Sequence, residues 1–590
     1  MTNPKEFYTE TIEIRESELK KIKTELLRSS ILRLLVFTLG LIGIYGSLDD
    51  FKMMLILIFI TLTLFIYLVF RHNKLLYKKK LLIALIDRNI LELQVLERKF
   101  KNLPNGSEFQ DPNHFYSHDI DLFGRGSFFQ YINRTALAEG AECLSQLLLE
   151  NDTANIQKKQ EAIEDLSKRQ LWQQDFSATA SLLKTEVSTA FIAEWLTGYK
   201  RFIPNWWGIF AKVFAFVSTV LVFAYFLDLI SGYFVGGWFF LGVTISGRFL
   251  KNVNSLSSDT SKILSTFNQF QQLLSKIESE TFTSELLKEK RAAVSTAQNK
   301  ASWIIKKFAR NLDALDQRNN MLFGILGNGF FLWDIQQSLG IEKWIEAYGE
   351  QVPKWFETII FFDAYNSLGN FTFNHPNYVF PEITSNKTIL DAKNAGHPLL
   401  DPATMVSNDF KINSEEFFII TGANMAGKST FLRTVSLLII MGNMGLPVCA
   451  TRLNYSPIKL ITSMRTADSL TDDESYFFSE LKRLKFIVER IKFDNYFIIL
   501  DEILKGTNST DKALGSRKFV EKLVDSNSTG IIATHDLSLC EIAEELPEVK
   551  NYYFDAQIIR DDLYFDYKFK EGICRNMNAS FLLKKMKIVE

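Results

Sequence analysis

The chain has 590 residues, and 67 Lys or Arg against 68 Asp or Glu give it a net charge of −1. This balance excludes a wholly basic nucleic-acid coat, and 47% apolar residues with only 12 prolines exclude a mostly disordered chain. A mean hydropathy of +0.01 is high for a chain with 23% charged residues, so apolar residues must be concentrated in particular segments. The four cysteines form no CxxC pair, which is typical of reduced cytosolic thiols.

Two apolar stretches near the N-terminus predict a transmembrane hairpin over residues 31–71. Arg33 can snorkel from the first stretch to the membrane surface, and eighteen uncharged residues between Lys52 and Arg71 form the second. Lys and Arg flank both outer ends, whereas the connecting loop has a single Lys, so the positive-inside rule places both ends in the cytoplasm. Residues 1–30 are expected to form a charged cytoplasmic helix. The alternative is a buried hairpin within a large soluble core.

A second pair of apolar stretches predicts another hairpin over residues 206–248. Trp206 and Trp207 are suited to the membrane interface, although Lys212 and Asp228 limit the first arm. A buried soluble hairpin is again the alternative. We therefore expect four transmembrane helices in total, with the helical core divided around the second hairpin into residues 72–205 and 249–385 on the cytoplasmic side.

The helical core also contains a basic helical patch around Lys306 and Lys307. It is interpreted as a solvated helix face, with contact to a polyanion as the alternative.

From about residue 410 the pattern changes to short β-rich apolar runs separated by helical segments. The runs lie at residues 417–420, 496–500 and 530–533. Such alternation predicts an α/β unit with a mainly parallel sheet, and we expect this domain to occupy residues 386–590.

The first run leads directly into GANMAGKST, residues 422–430, which fits the GxxxxGK[ST] pattern of a P-loop, or Walker A motif. Backbone N–H groups of such a loop and of the following helix cradle phosphates. Lys428 is then expected to neutralise the β- and γ-phosphates, and Ser429 to ligate Mg²⁺. The pattern predicts ATP and Mg²⁺ as ligands.

The two other runs are also followed by polar residues whose side chains suit metal binding or catalysis. Asp501 follows the second run and fits the Walker B role of holding Mg²⁺, while Glu502 is placed to polarise the attacking water as a general base. His535 follows the third run and is predicted to orient water or sense the γ-phosphate. A structural role is the alternative for a lone histidine.

Taken together, these residues resemble the MutS family of DNA mismatch repair-type ATPases. The resemblance covers residues 115–200 and 250–590. Its strongest segments are TGANMAGKST, SYFFSE at 475–480, DEILKGTNS at 501–509, ATH at 533–535, and Gly396-His397-Pro398. A weaker match at 121–127, with Asn133-Arg134-Thr135, resembles the start of the family's helical core.

The resemblance implies an α/β P-loop ATPase domain of the ABC type, C-terminal to an all-α MutS-like core that here would carry two transmembrane helical hairpins. It also implies a homodimer with nucleotides at the interface, in which Ser475 reaches the γ-phosphate bound by the other subunit; a helix N-cap is the alternative for this serine. Met405 matches a position that packs near the base. The remaining nucleotide-binding residues implied are Gly422, Asn424, Gly427 and Thr430.

Some departures from the family pattern leave the phosphate chemistry intact, namely Ala426 for Gly and Leu504-Lys505 for Gly-Arg. Others concern DNA. Mismatch-reading relatives carry a Phe-x-Glu wedge in an N-terminal domain, whereas the segment FYTE at 7–10 does not fit it. The helical core offers little room for a DNA clamp, and only 55 residues follow His535, too few for a nuclease domain.

The sequence thus predicts a membrane-anchored, dimeric MutS-like ATPase that couples ATP binding and hydrolysis to clamp-like DNA binding. The family's function implies mismatch repair, although the residues that read mismatches are not found. One alternative is a membrane transport or extrusion ATPase, against which stand the missing LSGGQ motif and the two separated hairpins. Another is a membrane scaffold ATPase that acts on a protein partner.

Overall fold

The computed structural model describes residues 3–182, 187–295, 300–465, 476–504, 508–559 and 562–574. Its N-terminal part is a pair of long antiparallel helices, α1 (Pro4–Gly46) and α2 (Phe51–Leu96). Asp50 caps α2, because its carboxylate accepts hydrogen bonds from the backbone amides of Lys52 and Met53. The helices cross closely at Gly40, where a Cβ atom would lie only 2.8 Å from Thr61 Oγ1. Each helix runs unbroken from its charged segment into its apolar segment.

A helical region follows and confirms the predicted helical N-terminal part of the chain. Its centre is aromatic: the rings of Phe308 and Trp344 stack 3.8 Å apart, and Phe267 packs edge-on against Phe308. The helices are α3 (Phe128–Ile132), α4 (Ala138–Leu149), α5 (Ile156–Ser167), α6 (Gln170–Ser181), α7 (Thr189–Gly198), α8 (Trp207–Phe226), α9 (Gly232–Gly247), α10 (Leu250–Ser279), α11 (Glu285–Val294), α12 (Ala301–Asp316), α13 (Met321–Phe331), α14 (Trp333–Tyr348) and α15 (Val352–Asn374).

Three helices in the described part of the chain, α1, α2 and α8, are long and apolar enough to cross a membrane. Helix α9 passes the same test only together with α10, from which it is bent by 66°. Helix α13 is apolar but has only 11 residues, and it lies outside both predicted hairpins. These properties concern length and composition only, so the predicted hairpins remain predictions.

The cytoplasmic ends predicted for α1 and α2 are joined to the helical region by buried polar contacts. Arg134 Nε donates to Glu92 Oε1 at 2.7 Å, and Asn374 Nδ2 donates to Glu92 Oε2 at 2.9 Å. Tyr8, which is fully buried, donates to Asn374 Oδ1 at 2.7 Å. Burial alone would raise the pKa of Glu92, but Arg134 and Arg88 together hold it below its usual range.

The C-terminal part is an α/β unit with two sheets, as the alternation of runs predicted. Its strands are β1 (Glu382–Ile383), β2 (Thr388–Ala395), β3 (Asn408–Asn413), β4 (Phe417–Gly422), β5 (Arg452–Tyr455), β6 (Lys459–Ser463), β7 (Tyr496–Asp501), β8 (Thr529–Ala533), β9 (Val549–Ile559) and β10 (Asp562–Glu571). Its helices are α16 (Lys428–Met444), α17 (Tyr476–Arg490), α18 (Ser509–Asp525) and α19 (Ile542–Glu545).

The larger sheet has six strands in the order β10-β9-β4-β8-β7-β6. All neighbours are parallel except β10, which returns antiparallel to β9. Strands β4 and β8 are completely buried, which explains why they read as continuous apolar runs. Because β4, β7 and β8 are adjacent and parallel, their carboxyl ends meet at one edge of the sheet.

Candidate functional site

The loop between β4 and α16 begins and ends at glycines in conformations that other residues rarely adopt. Gly422 has φ +150°, and a Cβ atom there would lie 2.6 Å from the Phe554 carbonyl oxygen. Gly427 has φ +108° and is the N-cap of α16. These two positions allow a tight turn from the strand into the helix, so the first amides of α16 point towards the space beyond the sheet edge.

Lys428 is folded back over this loop and is buried. Its Nζ donates to the carbonyl oxygens of Gly422 at 2.7 Å and Ala423 at 3.1 Å. Burial lowers the pKa of Lys428, while the nearby Asp501 and Glu502 carboxylates oppose that shift. The ammonium group therefore contacts two backbone carbonyl oxygens of the loop.

The carboxylates predicted at the end of β7 lie beside this loop. Ser429 Oγ donates to Asp501 Oδ2 at 2.8 Å. Glu502 has φ +52°, its amide donates to the Ala533 carbonyl oxygen at 2.8 Å, and its Oε1 accepts from Lys512 Nζ of α18 at 2.8 Å. Lys512 was not foreseen, because nothing in the sequence pattern connects α18 with this carboxylate.

His535 lies just past the end of β8, and its Nε2 is 3.3 Å from Lys428 Nζ. Burial lowers the pKa of His535, and the Lys428 ammonium lowers it further. Both effects favour the neutral imidazole, in which Nε2 is able to accept a hydrogen bond from the ammonium group.

These side chains surround one cavity of about 620 Å³. The structure thereby brings together the predicted residues Met405, Asn424, Gly427, Lys428, Ser429, Thr430, Asp501, Glu502 and His535. Gly422 lies beneath the cavity and contacts Lys428 through its carbonyl group. Ser475 falls outside the described residues.

Two walls of the cavity come from more distant segments. Met405 packs against Gly396, where a Cβ atom would lie 2.5 Å from the methionine Cε. On another side the hairpin of β9 and β10 contributes Phe554 and Tyr567. Asn408 holds this hairpin by donating from Nδ2 to the Tyr567 carbonyl oxygen at 3.0 Å. No sequence signal pointed to Tyr567, because β10 follows His535 by some 30 residues without a recognisable motif.

The arrangement suits a polyphosphate anion with a divalent cation. It combines helix N-terminal amides, an ammonium group, a hydroxyl–carboxylate pair, a second carboxylate and an imidazole at the carboxyl ends of parallel strands. Among the described residues there is no cluster of three or more His, Cys, Asp or Glu side chains that could hold a metal ion alone. Any cation here would need further oxygen ligands from the bound anion or water.

Comparison with known proteins relates this domain to a protein family. Residues 418–587 match the family model MutS domain V. The C-terminal part is therefore an α/β domain similar to MutS domain V, and this match supports a relation of the chain to the MutS family.

Several similar proteins are named for DNA mismatch repair. The chain is 30% identical over 268 residues to the DNA mismatch repair protein MutS of Staphylococcus haemolyticus, and 33% identical over 219 residues to that of Methanococcoides burtonii. It is 32% identical over 213 residues to the human MutS protein homolog 4. These alignments cover 44%, 36% and 34% of the chain but only 30%, 24% and 22% of the relatives. The chain thus spans less than a third of each relative.

We predict that His397, in the cavity wall, makes stability depend on pH. Burial lowers the pKa of His397 to about 4, with Arg433 and Arg98 adding to the effect, and Nδ1 accepts a hydrogen bond from the Leu399 amide. The unfolded chain therefore takes up a proton first. Stability should fall as the pH drops below about 6.5 and level off below the folded pKa, a loss of about 3 kcal/mol from this group.

The measurement is the unfolding midpoint of detergent-purified protein between pH 7.5 and 4, for the wild type and for His397→Gln. Glutamine is neutral throughout and retains an acceptor, so the variant should lose less stability across this range. Identical pH profiles for the two proteins would contradict the prediction.

Proposed function

We propose that this protein is a membrane-anchored ATPase of the MutS type, whose loop at 422–430 is a P-loop and whose cavity binds ATP with Mg²⁺. The observation that carries the proposal is the convergence of Lys428, Ser429, Asp501 and Glu502 on one cavity, although these residues come from two separate strand ends. ATP hydrolysis is the reaction that this set of groups suits best.

In this proposal Lys428 exchanges its contacts with the loop carbonyl groups for contacts with the β- and γ-phosphates. Because its ammonium group already lies at the loop within the cavity, it needs little rearrangement. Ser429 Oγ and Asp501 Oδ2, 2.8 Å apart, are the protein ligands suited to Mg²⁺. If Mg²⁺ were held there, it would supply positive charge that neutralises the charge developing on the phosphate oxygens.

Glu502 is proposed as the general base that orients and deprotonates the attacking water. Lys512 Nζ donates to Glu502 Oε1 at 2.8 Å, and this contact orients the carboxylate at the cavity. His535 is proposed to report on the γ-phosphate, because it contacts the same ammonium group that the phosphate would engage.

The protein is further proposed to act as a homodimer with nucleotides at the interface. Met425, which lines the cavity, is 76% exposed. Apolar side chains exposed beside a ligand cavity support a partner surface there. Helix α17 begins directly after Ser475, the residue that the family resemblance assigns to the site of the other subunit.

Membrane anchoring is proposed through the hairpin of α1 and α2 together with α8 and α9. Along the apolar parts of α1 and α2 large side chains such as Leu34, Phe59 and Phe70 are more than 60% exposed, an arrangement that is costly in water and favourable among acyl chains. The flanking Lys and Arg residues favour a cytoplasmic location for the helical region and the ATPase domain.

Clamp-like DNA binding is the proposed use of the ATP cycle. It is supported by the names of the relatives and by an exposed stripe on α12 that combines Trp303 with Lys306, Lys307 and Arg310. Such a combination suits stacking and phosphate contact. Mismatch reading is not part of the proposal, because Tyr8 is buried in the helical region and Phe7 packs against Phe373.

Nucleotide handling is tested by two substitutions at the cavity. Lys428→Ala is expected to abolish tight ATP binding, because the phosphates lose their buried counter-charge. Glu502→Ala is expected to bind ATP normally but to turn it over at least a hundredfold more slowly, because the water loses its base. Equilibrium binding and single-turnover hydrolysis distinguish the two defects, and normal turnover in the Glu502 variant would exclude its assigned role.

Membrane anchoring is tested by fractionation. The protein is expected to remain with membranes after washing with alkaline carbonate and to be released only by detergent, because the apolar hairpin surfaces need acyl chains. Quantitative recovery in the soluble fraction would show instead that the hairpins are covered by protein.

DNA as the partner is tested through the ATPase rate of the detergent-purified protein at one stated salt concentration. The rate is measured with no DNA, with matched duplex and with mismatched duplex. DNA binding coupled to the ATP cycle should change the rate with both duplexes about equally, and the effect should weaken as salt rises. A rate unaffected by DNA but changed by reconstitution into liposomes would favour transport or a membrane scaffold role.

A further inference from the structure

We propose that helix α13 (Met321–Phe331) is an additional membrane-contacting element, which lies against the acyl chains of the cytoplasmic leaflet without crossing the bilayer. The proposal rests on the membrane anchoring proposed above. The sequence of α13, MLFGILGNGFF, contains no charged residue. At about 1.5 Å per residue its 11 residues measure about 16 Å, roughly half the hydrocarbon thickness of a bilayer.

The exposure of α13 argues against a place in a soluble core. Met321 is 77% exposed, Leu322 73%, Leu326 49% and Ile325 46%. These four side chains follow one another along the helix and form a continuous apolar surface. Such a surface on a protein marks an interaction site, and its removal from water is favourable.

Nearer its C-terminus, the same face of α13 packs directly on α9, one of the proposed membrane helices. Gly242 of α9 lies so close to Gly329 that a Cβ atom at position 242 would meet the Gly329 backbone. The rings of Phe239 and Phe330 lie 5.1 Å apart beside this contact. Close approach of two helices at small residues is typical of packing within membranes. The exposed surface of α13 is therefore continuous with the surface proposed to face lipid.

The position of this contact along α9 indicates how deeply α13 lies in the bilayer. Gly242 precedes the end of α9 at Gly247 by five residues, or about 8 Å of helix, and that end leads into the cytoplasmic α10. Arg318 Nε and Asp334 Oδ2, 3.0 Å apart, join the segments before and after α13. Both ends of α13 are therefore connected to the same polar layer. We infer that α13 enters only the cytoplasmic leaflet.

The test measures lipid contact at single positions in the full-length protein. Cys143 is replaced by Ser, and the other three native cysteines are buried. A single cysteine is then introduced as Leu326→Cys or Ile325→Cys and labelled with an environment-sensitive dye. After reconstitution, quenching is compared in vesicles whose phosphatidylcholine carries a nitroxide at carbon 5 or carbon 12 of the acyl chain.

Two matched variants calibrate the measurement. Phe59→Cys places the dye on the proposed first hairpin at a residue that is 72% exposed, and Leu514→Cys places it on α18 of the ATPase domain at an apolar residue that is 54% exposed. At positions 325 and 326 we expect quenching at least twofold stronger than at position 514, and stronger from carbon 5 than from carbon 12. Two positions guard against misfolding of one variant.

The outcomes separate this inference from the proposal on which it rests. Quenching at position 59 with none at 325 and 326 would overturn the lipid contact of α13 alone. Disulfide cross-linking between two copies at position 326, without quenching, would overturn it in favour of a second copy of the chain. Absence of quenching at position 59 would overturn the membrane anchoring itself, and the lipid contact of α13 with it.

Discussion

The buried ion pair between Arg134 and Glu92 is the contact on which the arrangement of this protein depends. Both side chains are almost inaccessible to water, so separating them would leave a buried charge uncompensated at a cost of several kcal/mol. Glu92 belongs to α2, and Asn374 of α15 and Tyr8 of α1 complete the same network. The proposed membrane hairpin therefore cannot tilt independently of the helical region, because both of its helices take part in this network.

From this network, contacts continue to the cavity. Arg98, just beyond the end of α2, donates from one terminal nitrogen to the Pro398 carbonyl oxygen at 2.7 Å, and Pro398 follows His397 in the cavity wall. A second link starts at Asp121, whose carboxylate pairs with Arg433 of α16 and with Arg465 beyond β6. Asp121 thus ties the helix that begins at Lys428 to the segment that leads towards Ser475.

The parts of the site that could be predicted are those with a local cause. The P-loop pattern and the acids after β7 can be recognised because a buried strand followed by a polar residue forms a pattern within about ten residues of sequence. Parallel pairing of the strands then brings their ends together. Tyr567 and Lys512 could not be predicted, because they reach the cavity through tertiary contacts without a motif. Helix α13 was missed for a different reason: eleven apolar residues fall below the length that indicates a span.

The two links have a thermodynamic consequence for the proposed function. If ATP moves the wall at 396–400, Arg98 transmits that movement to α2, and any strain on α2 acts back on ATP affinity by the same free energy. The Pro398 contact is a hydrogen bond from a charged donor, of the order of 1.5–3 kcal/mol, so it limits how much coupling this route can carry. The proposed membrane anchor, attached in this way, would do more than hold the protein at the membrane, because its packing contributes to the shape of the proposed nucleotide site.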